Sequence, residues 1–373
     1  MRPISDLELY RIAADMGSEI AEYLNAQYYE KSGIQLSIRW STASGIGASA
    51  SVWPSMDAPS HHIIEITYEF LTVIYAQALD FAMFAMGKKG EAHHLGIHML
   101  PSRFDMFEAA ELMYQFGLSF VIFHELGHLN QNHGAIRAKY SNAPVNLTLN
   151  EFGISAGGKF TGELAAIFHA TELAADYEAL DWMASFLQVQ YSGEEYYDLA
   201  YMQCASVSFI MLVFNGDEPV RFDKEPTGSH PYPVIRMDLW MQAYYERLVI
   251  TSGRLGIDAP KADIHKRFCD AAYMALMKWM TRLQLPDEPQ YTGHTLGATT
   301  HPNFKEYMHA VVGIWSRECE DALASRKFGT PLGVAYYTDE LRAVIGVESN
   351  TYTFLEHLER CSSAVRENNA GLQ

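Results

Sequence analysis

From Phe107 to Phe123 apolar residues fill most positions, and the only charges are Glu108 and Glu111. A run of that length without a polar stripe predicts a helix buried through the middle of a domain. Gly33 to Trp40 and Ser60 to Thr67 alternate apolar and polar residues, a strand signal. The second strand leads into a helix ending near Met86. Helical periodicity also covers about 5–31, 161–186 and 196–214, and resumes from Met237. It recurs at about 259–285, 303–325 and 338–367. The Gly-, Ser- and Ala-rich stretch 42–51 lacks the Lys-Ser/Thr signature of a phosphate loop and predicts a loop or hairpin turn. Polar loops are expected at 87–101, 140–160 and 215–233, the last two being places for a gate. No internal repeat or low-complexity tail is present.

The fold expected is α+β and mostly helical. A small antiparallel or mixed sheet precedes the central helix, and helices dominate the C-terminal part. Residues 1–250 would form the main domain, with 251–373 packed on it as a helical region. Ser5 and Glu8 have the spacing of a capping box that opens the first helix.

The central helix ends in His124-Glu125-Leu126-Gly127-His128, the H-E-x-x-H pattern. Residues four apart on a helix share a face, so both imidazoles can grip one metal ion. Glu125 can then act as general base on a metal-bound water. Three buried polar groups are costly, and a metal is the usual compensation. A catalytic zinc needs three protein ligands and an open position. Gln131 and Gly134 stand where the metzincin pattern requires Gly and a third His, which excludes that class. Glu172 on a later helix is the expected third ligand, with His169 its rival. Asp176, one turn beyond Glu172, is placed to accept the other N–H of a ligand histidine, His124 in first place. Leu173-Ala174-Ala175 beside them suit close helix packing. His61 and His62 are read as strand-entry residues, and His93, His94 and His98 as loop residues.

Composition narrows the partners. Lys and Arg number 27 against 45 Asp and Glu, a formal charge of −18. This argues against nucleic acid and against an anionic membrane surface. Hydrophobic content of 49% and aromatic content of 13% describe a well-cored chain. Cys204, Cys269, Cys319 and Cys361 form no C-x-x-C pair and are read as reduced thiols. The N-terminus lacks a signal-peptide core, and no window is expected to reach membrane-spanning length. Together these readings predict a cytoplasmic protein of undetermined oligomeric state.

His124-Glu125-Leu126-Gly127-His128 followed by Glu172 and Asp176 resembles the gluzincin metallopeptidases, most nearly the HtpX and CAAX-prenyl-protease type. That type carries a downstream H-P-P-x-x-x-R element. His230-Pro231-Tyr232-Pro233-Val234-Ile235-Arg236 matches its His, first Pro and Arg, with Tyr232 in place of the second Pro. His133 also resembles a recurrent His of that type. His301-Pro302 repeats the dipeptide but has Tyr307 where Arg should fall. The resemblance covers about residues 60–240 and implies a zincin-like domain, Zn2+ as cofactor, and a protein or peptide substrate. It further implies that His230 and Arg236 face the zinc water and steady the oxyanion. Substrate is expected to lie along the strand Ile63–Thr67, paired to an open edge. Members of that type are largely integral membrane proteases, from which the expected lack of a span departs. A second, slighter resemblance is to the Lit-type phage-exclusion peptidases. Two other functions fit the same residues: a zinc-braced interaction protein without activity, and a zinc-dependent amidohydrolase on a non-peptide substrate.

Overall fold

Ser5 caps the start of the first helix as expected. Its hydroxyl accepts from Glu8 N at 3.4 Å, while Glu8 accepts from Ser5 N at 2.8 Å. The computed structural model describes residues 3–56, 58–87, 97–141, 148–150, 160–216, 222–255, 258, 260–284 and 301–370. Helix α1 runs Asp6–Leu24, widens into a short π turn and then tightens into a 3-10 turn ending at Ser32. Three strands follow: β1 (Gln35–Ser41), β2 (Ala48–Trp53) and β3 (His61–Thr67). Next come α2 (Tyr68–Gly87), α3 (Met106–Asn130), α4 (His133–Ala138) and a short β4 (Thr148–Asn150). The long helices α5 (Gly162–Gln190), α6 (Gly193–Phe214), α7 (Pro233–Leu255) and α8 (Ala262–Arg282) complete the middle of the chain. After them stand α9 (Phe304–Ser325), α10 (Asp339–Ile345) and α11 (Phe354–Ala370). The protein is mostly helical with a small mixed sheet.

The sheet order is β1-β3-β2-β4. β3 pairs parallel with β1, Gln35 opposite His61, and antiparallel with β2, Ala48 opposite Ile66. The strand expected to offer an open edge is therefore enclosed, and its main-chain groups are already paired on both sides. That expectation is corrected: the edges are β1 and β4. The stretch read as a loop at 42–51 is corrected in its second half. Ala48 and Ala50 are small residues buried on β2, where tertiary pairing overrides weak local β-propensity.

The helical stretch expected at 338–367 is two helices. Gly346 adopts φ 75°, and Val347 N returns to Arg342 O at 2.9 Å. Such a left-handed stop favours glycine. A further capping box restarts the chain. Thr353 N donates to Glu356 Oε2 at 2.7 Å, and Glu356 N donates to Thr353 Oγ1 at 3.3 Å. His93, His94, most of the 140–160 loop with Pro144, Gly153, Gly157 and Gly158, and residues 217–221 lie outside the described residues.

One sequence reading is overturned here. α2, α3 and α6 are each long and apolar enough, by length and composition, to cross a membrane. The folded helices extend past the apolar runs visible in sequence, and one or two charges in such a helix do not disqualify it. The three share one core, in which Phe70, Leu118 and Ile210 are buried. A second core gathers α9, Ile235 and the first half of α5, including Ala166, Leu173 and Ala174. The second half of α5, from Ala179 to Leu187, belongs to the first core. Glu172 and Asp176 thus sit where α5 passes from one core to the other.

Candidate metal centre

Helices α3 and α5 lie close because small residues face each other. A Cβ on Gly127 would stand 3.0 Å from Ala175 Cα and 3.0 Å from Glu178 Cβ. This contact brings Glu172 to the histidines of α3. His124 Nε2 and His128 Nε2 are 3.2 Å apart. Glu172 Oε2 is 3.2 Å from His124 Nε2, and Glu172 Oε1 is 3.4 Å from His128 Nε2. Two ligands about 2.0–2.1 Å from a tetrahedral zinc lie roughly 3.3 Å from each other, so this spacing fits such an ion. All three residues are buried, and together they form a group that can hold a metal ion.

Each imidazole turns its second nitrogen to a partner. His124 Nδ1 lies 2.9 Å from Asp176 Oδ1. A carboxylate only accepts, so the proton sits on Nδ1 and the Nε2 lone pair faces the ion position. Arg236 grips Asp176 with two bonds, Nε to Oδ2 at 2.8 Å and Nη2 to Oδ1 at 2.7 Å.

His128 is held by a longer chain of bonds. The Gln131 amide NH2 donates to Glu178 Oε2 at 3.0 Å and to Gly333 O at 3.2 Å, so its Oε1 is left to accept. Gln131 Oε1 accepts from His133 Nε2 at 3.4 Å, and His133 Nδ1 meets His128 Nδ1 at 2.8 Å. With Nε2 of His133 donating, its Nδ1 must accept, and the proton again falls on Nδ1 of the ligand. Burial, helped by His128 and Arg137, holds the His133 imidazole well below the ordinary range, which suits this neutral role. Glu178 in turn pairs with the fully buried Arg326, whose Nε donates at 3.0 Å.

Glu172 has its own support. Arg137 of α4 donates through Nη2 to Glu172 Oε1 at 2.5 Å and through Nε to Thr171 Oγ1 at 2.7 Å. Its guanidinium lies 4.5 Å above the Phe168 ring. Glu125 follows His124 on α3 and is 1% exposed.

The structure thus brings together His124, His128, Glu172 and Asp176, and adds His133, which the resemblance had singled out. Arg236 departs from the role implied for it, because its guanidinium is engaged with Asp176. His230 bonds Ser229 Oγ through Nδ1 at 2.8 Å. Burial, with a smaller contribution from His230 nearby, lowers His169 to about 3. His169 bonds Tyr307 OH at 2.8 Å and does not join the ligand trio. His62 bonds Tyr29 OH at 3.1 Å, His61 bonds Ser60 Oγ at 2.9 Å, and His98 bonds Asp270 at 2.7 Å. His301 lies against Phe222, ring centroids 4.4 Å apart. The four cysteines are free thiols. Sequence reasoning missed Arg137, Gln131, Glu178 and Arg326. The one available signal was charge at Arg137 and Glu178 in otherwise apolar surroundings.

No protein-family model matches the chain, and no curated protein or solved structure matches it.

Proposed function

We propose that the chain is a zinc-dependent endopeptidase hydrolysing peptide bonds of a protein substrate. One observation carries this reading. Two Nε2 atoms and a carboxylate lie within 3.2–3.4 Å of one another, each imidazole turns its Nδ1 to a buried partner, and a buried glutamate follows the first ligand. Bound at His124, His128 and Glu172, zinc would supply Lewis-acid polarisation of the scissile carbonyl and of a water. Glu125 takes a proton from the attacking water and later delivers it to the leaving amine. His230 donates to the developing oxyanion. Asp176 and His133 hold the two imidazoles in one tautomer, and Arg137 orients the Glu172 carboxylate. Arg236 serves Asp176 in this scheme.

Elemental analysis of purified protein tests the reading. About one zinc per chain is expected in the wild type and in His169→Ala, and none in Glu172→Ala. Glu125→Gln should keep the zinc while peptide hydrolysis falls by roughly 10²–10⁴. A metal-free wild type, or a fully active Glu125→Gln, would sink the proposal.

A further inference from the structure

Strand β2 packs on the metal-bearing helix α3. Its residues Ala50 and Val52 line a cleft of about 340 Å³ together with His128 and Leu129 of α3. One edge of β2 belongs to β3, and the other, at residues 49–51, is covered by β4. That pairing is antiparallel, Ser49 opposite Asn150 and Ser51 opposite Thr148. The chain's own backbone therefore holds the position that an extended peptide would take by strand addition.

β4 belongs to the segment that joins α4 to α5, and so lies in sequence between His128 and Glu172. Its flanks are tethered. Before it, Lys139 Nζ donates to Glu318 Oε2 of α9 and Tyr140 OH to Glu318 Oε1, each at 2.6 Å. After it, Phe160 O accepts from Gly228 N at 3.0 Å, and the Phe160 ring lies 4.7 Å from that of Phe168 on α5. The grip on β2 itself is slight: three residue pairs, against seven between β1 and β3. So short an edge pairing opens at low free-energy cost, while the tethers keep the strand at high effective concentration.

We propose that β4 is an autoinhibitory strand, which occupies the substrate-pairing edge of the peptidase and is displaced from residues 49–51 by an extended peptide. The inference rests on the peptidase reading above. Main-chain pairing supplies the affinity, so the competitor must offer an unpaired, extended backbone. A folded protein, whose backbone groups are already paired, does not displace β4. An unfolded segment does.

The test compares a locked and a released form of the zinc-loaded chain. Ser51→Cys with Thr148→Cys places two thiols directly opposite each other, within disulfide reach in an antiparallel pair. Thr148→Pro with Leu149→Pro removes two successive main-chain N–H groups, one of which points at β2. Binding of trialanyl hydroxamate and of acetohydroxamate is followed by calorimetry. The released form should bind the trialanyl compound at least about tenfold tighter than the wild type, as for an edge open in about a tenth of the molecules. The oxidised lock should bind it more weakly than the wild type, and reduction should restore the wild-type value. Acetohydroxamate has no peptide backbone to pair and should bind all forms alike. Equal or weaker trialanyl binding by the released form, with acetohydroxamate still bound, would overturn the autoinhibitory strand and leave the peptidase reading standing. A chain that holds no zinc, or whose zinc takes no acetohydroxamate, would overturn both.

Discussion

Arg236 and Asp176 form a two-pronged buried pair, with Nε and Nη2 reaching the two carboxylate oxygens at 2.8 and 2.7 Å. Asp176 Oδ1 also faces His124 Nδ1, so the pair sets the direction of a candidate metal ligand. Asp176→Asn should lower zinc affinity by roughly 10–100-fold, the usual effect of losing an outer partner of a ligand histidine. Arg236→Met should do less to affinity and more to stability. It strands a buried carboxylate, at about 3–5 kcal/mol. Competition with a zinc indicator and urea unfolding separate the two effects.

Gly127 provides a steric test. Its Cβ position meets backbone of α5 at Ala175, which cannot swing aside as a side-chain tip would. Gly127→Ala should therefore cost about 1–3 kcal/mol by overpacking. It should also weaken zinc binding, because α3 and α5 carry the ligands between them. A variant as stable and as zinc-avid as the wild type would show that the helices can part without consequence.

Metal removal should destabilise the fold. Chelation leaves His124, His128 and Glu172 as neighbouring buried polar groups without the ion that links them. With zinc at about a thousandfold over its Kd, linkage predicts a loss on the order of 4 kcal/mol. Thermal unfolding with and without chelator, followed by zinc add-back, reads this directly.

Buried histidines make the fold acid-sensitive. His62 and His169 are lowered to about 3, and His357 to about 4, mainly by burial. In each case the unfolded chain binds a proton that the folded chain refuses. Stability is therefore full above pH about 6.5 and falls as pH drops towards about 3–4. The urea midpoint should decline across that window, and His357→Gln should reduce the slope by about one proton. An unchanged slope would mean that His357 is already protonated in the folded state.

The candidate ligand group was legible because helical periodicity converts spacing into a shared face: His124 with His128, and Glu172 with Asp176. The alanines near Glu172 also foretold close helix packing, whereas the part played by Gly127 emerged only from the structure. Strand order was not legible, since β1 and β3 are parallel partners with β2 threaded to the other side. Nothing in Ala48–Trp53 announces that pairing. Arg137 and Gln131 escaped notice because their partners lie 35 and 47 positions away, at Glu172 and Glu178. The window 202–214 was judged too short for a span because helix ends cannot be read to the residue from hydropathy alone, and 70–86 was set aside for its Gln77 and Asp80.

The bonds that steady His128 give the centre a place in the order of folding. Asn130 donates to Phe328 O across 198 positions, Gln131 to Gly333 O across 202, and Arg326 reaches Glu178 across 148. During synthesis the ligands leave the ribosome long before residues 326–333 arrive to close that chain of bonds. Zinc loading is thus expected to be a late event, and a nascent or prematurely ended polypeptide would carry the motif without a competent centre. A chain ending at Ala324 should bind zinc far more weakly than the full chain. Parity between them would show that the ligands organise without the distant segment.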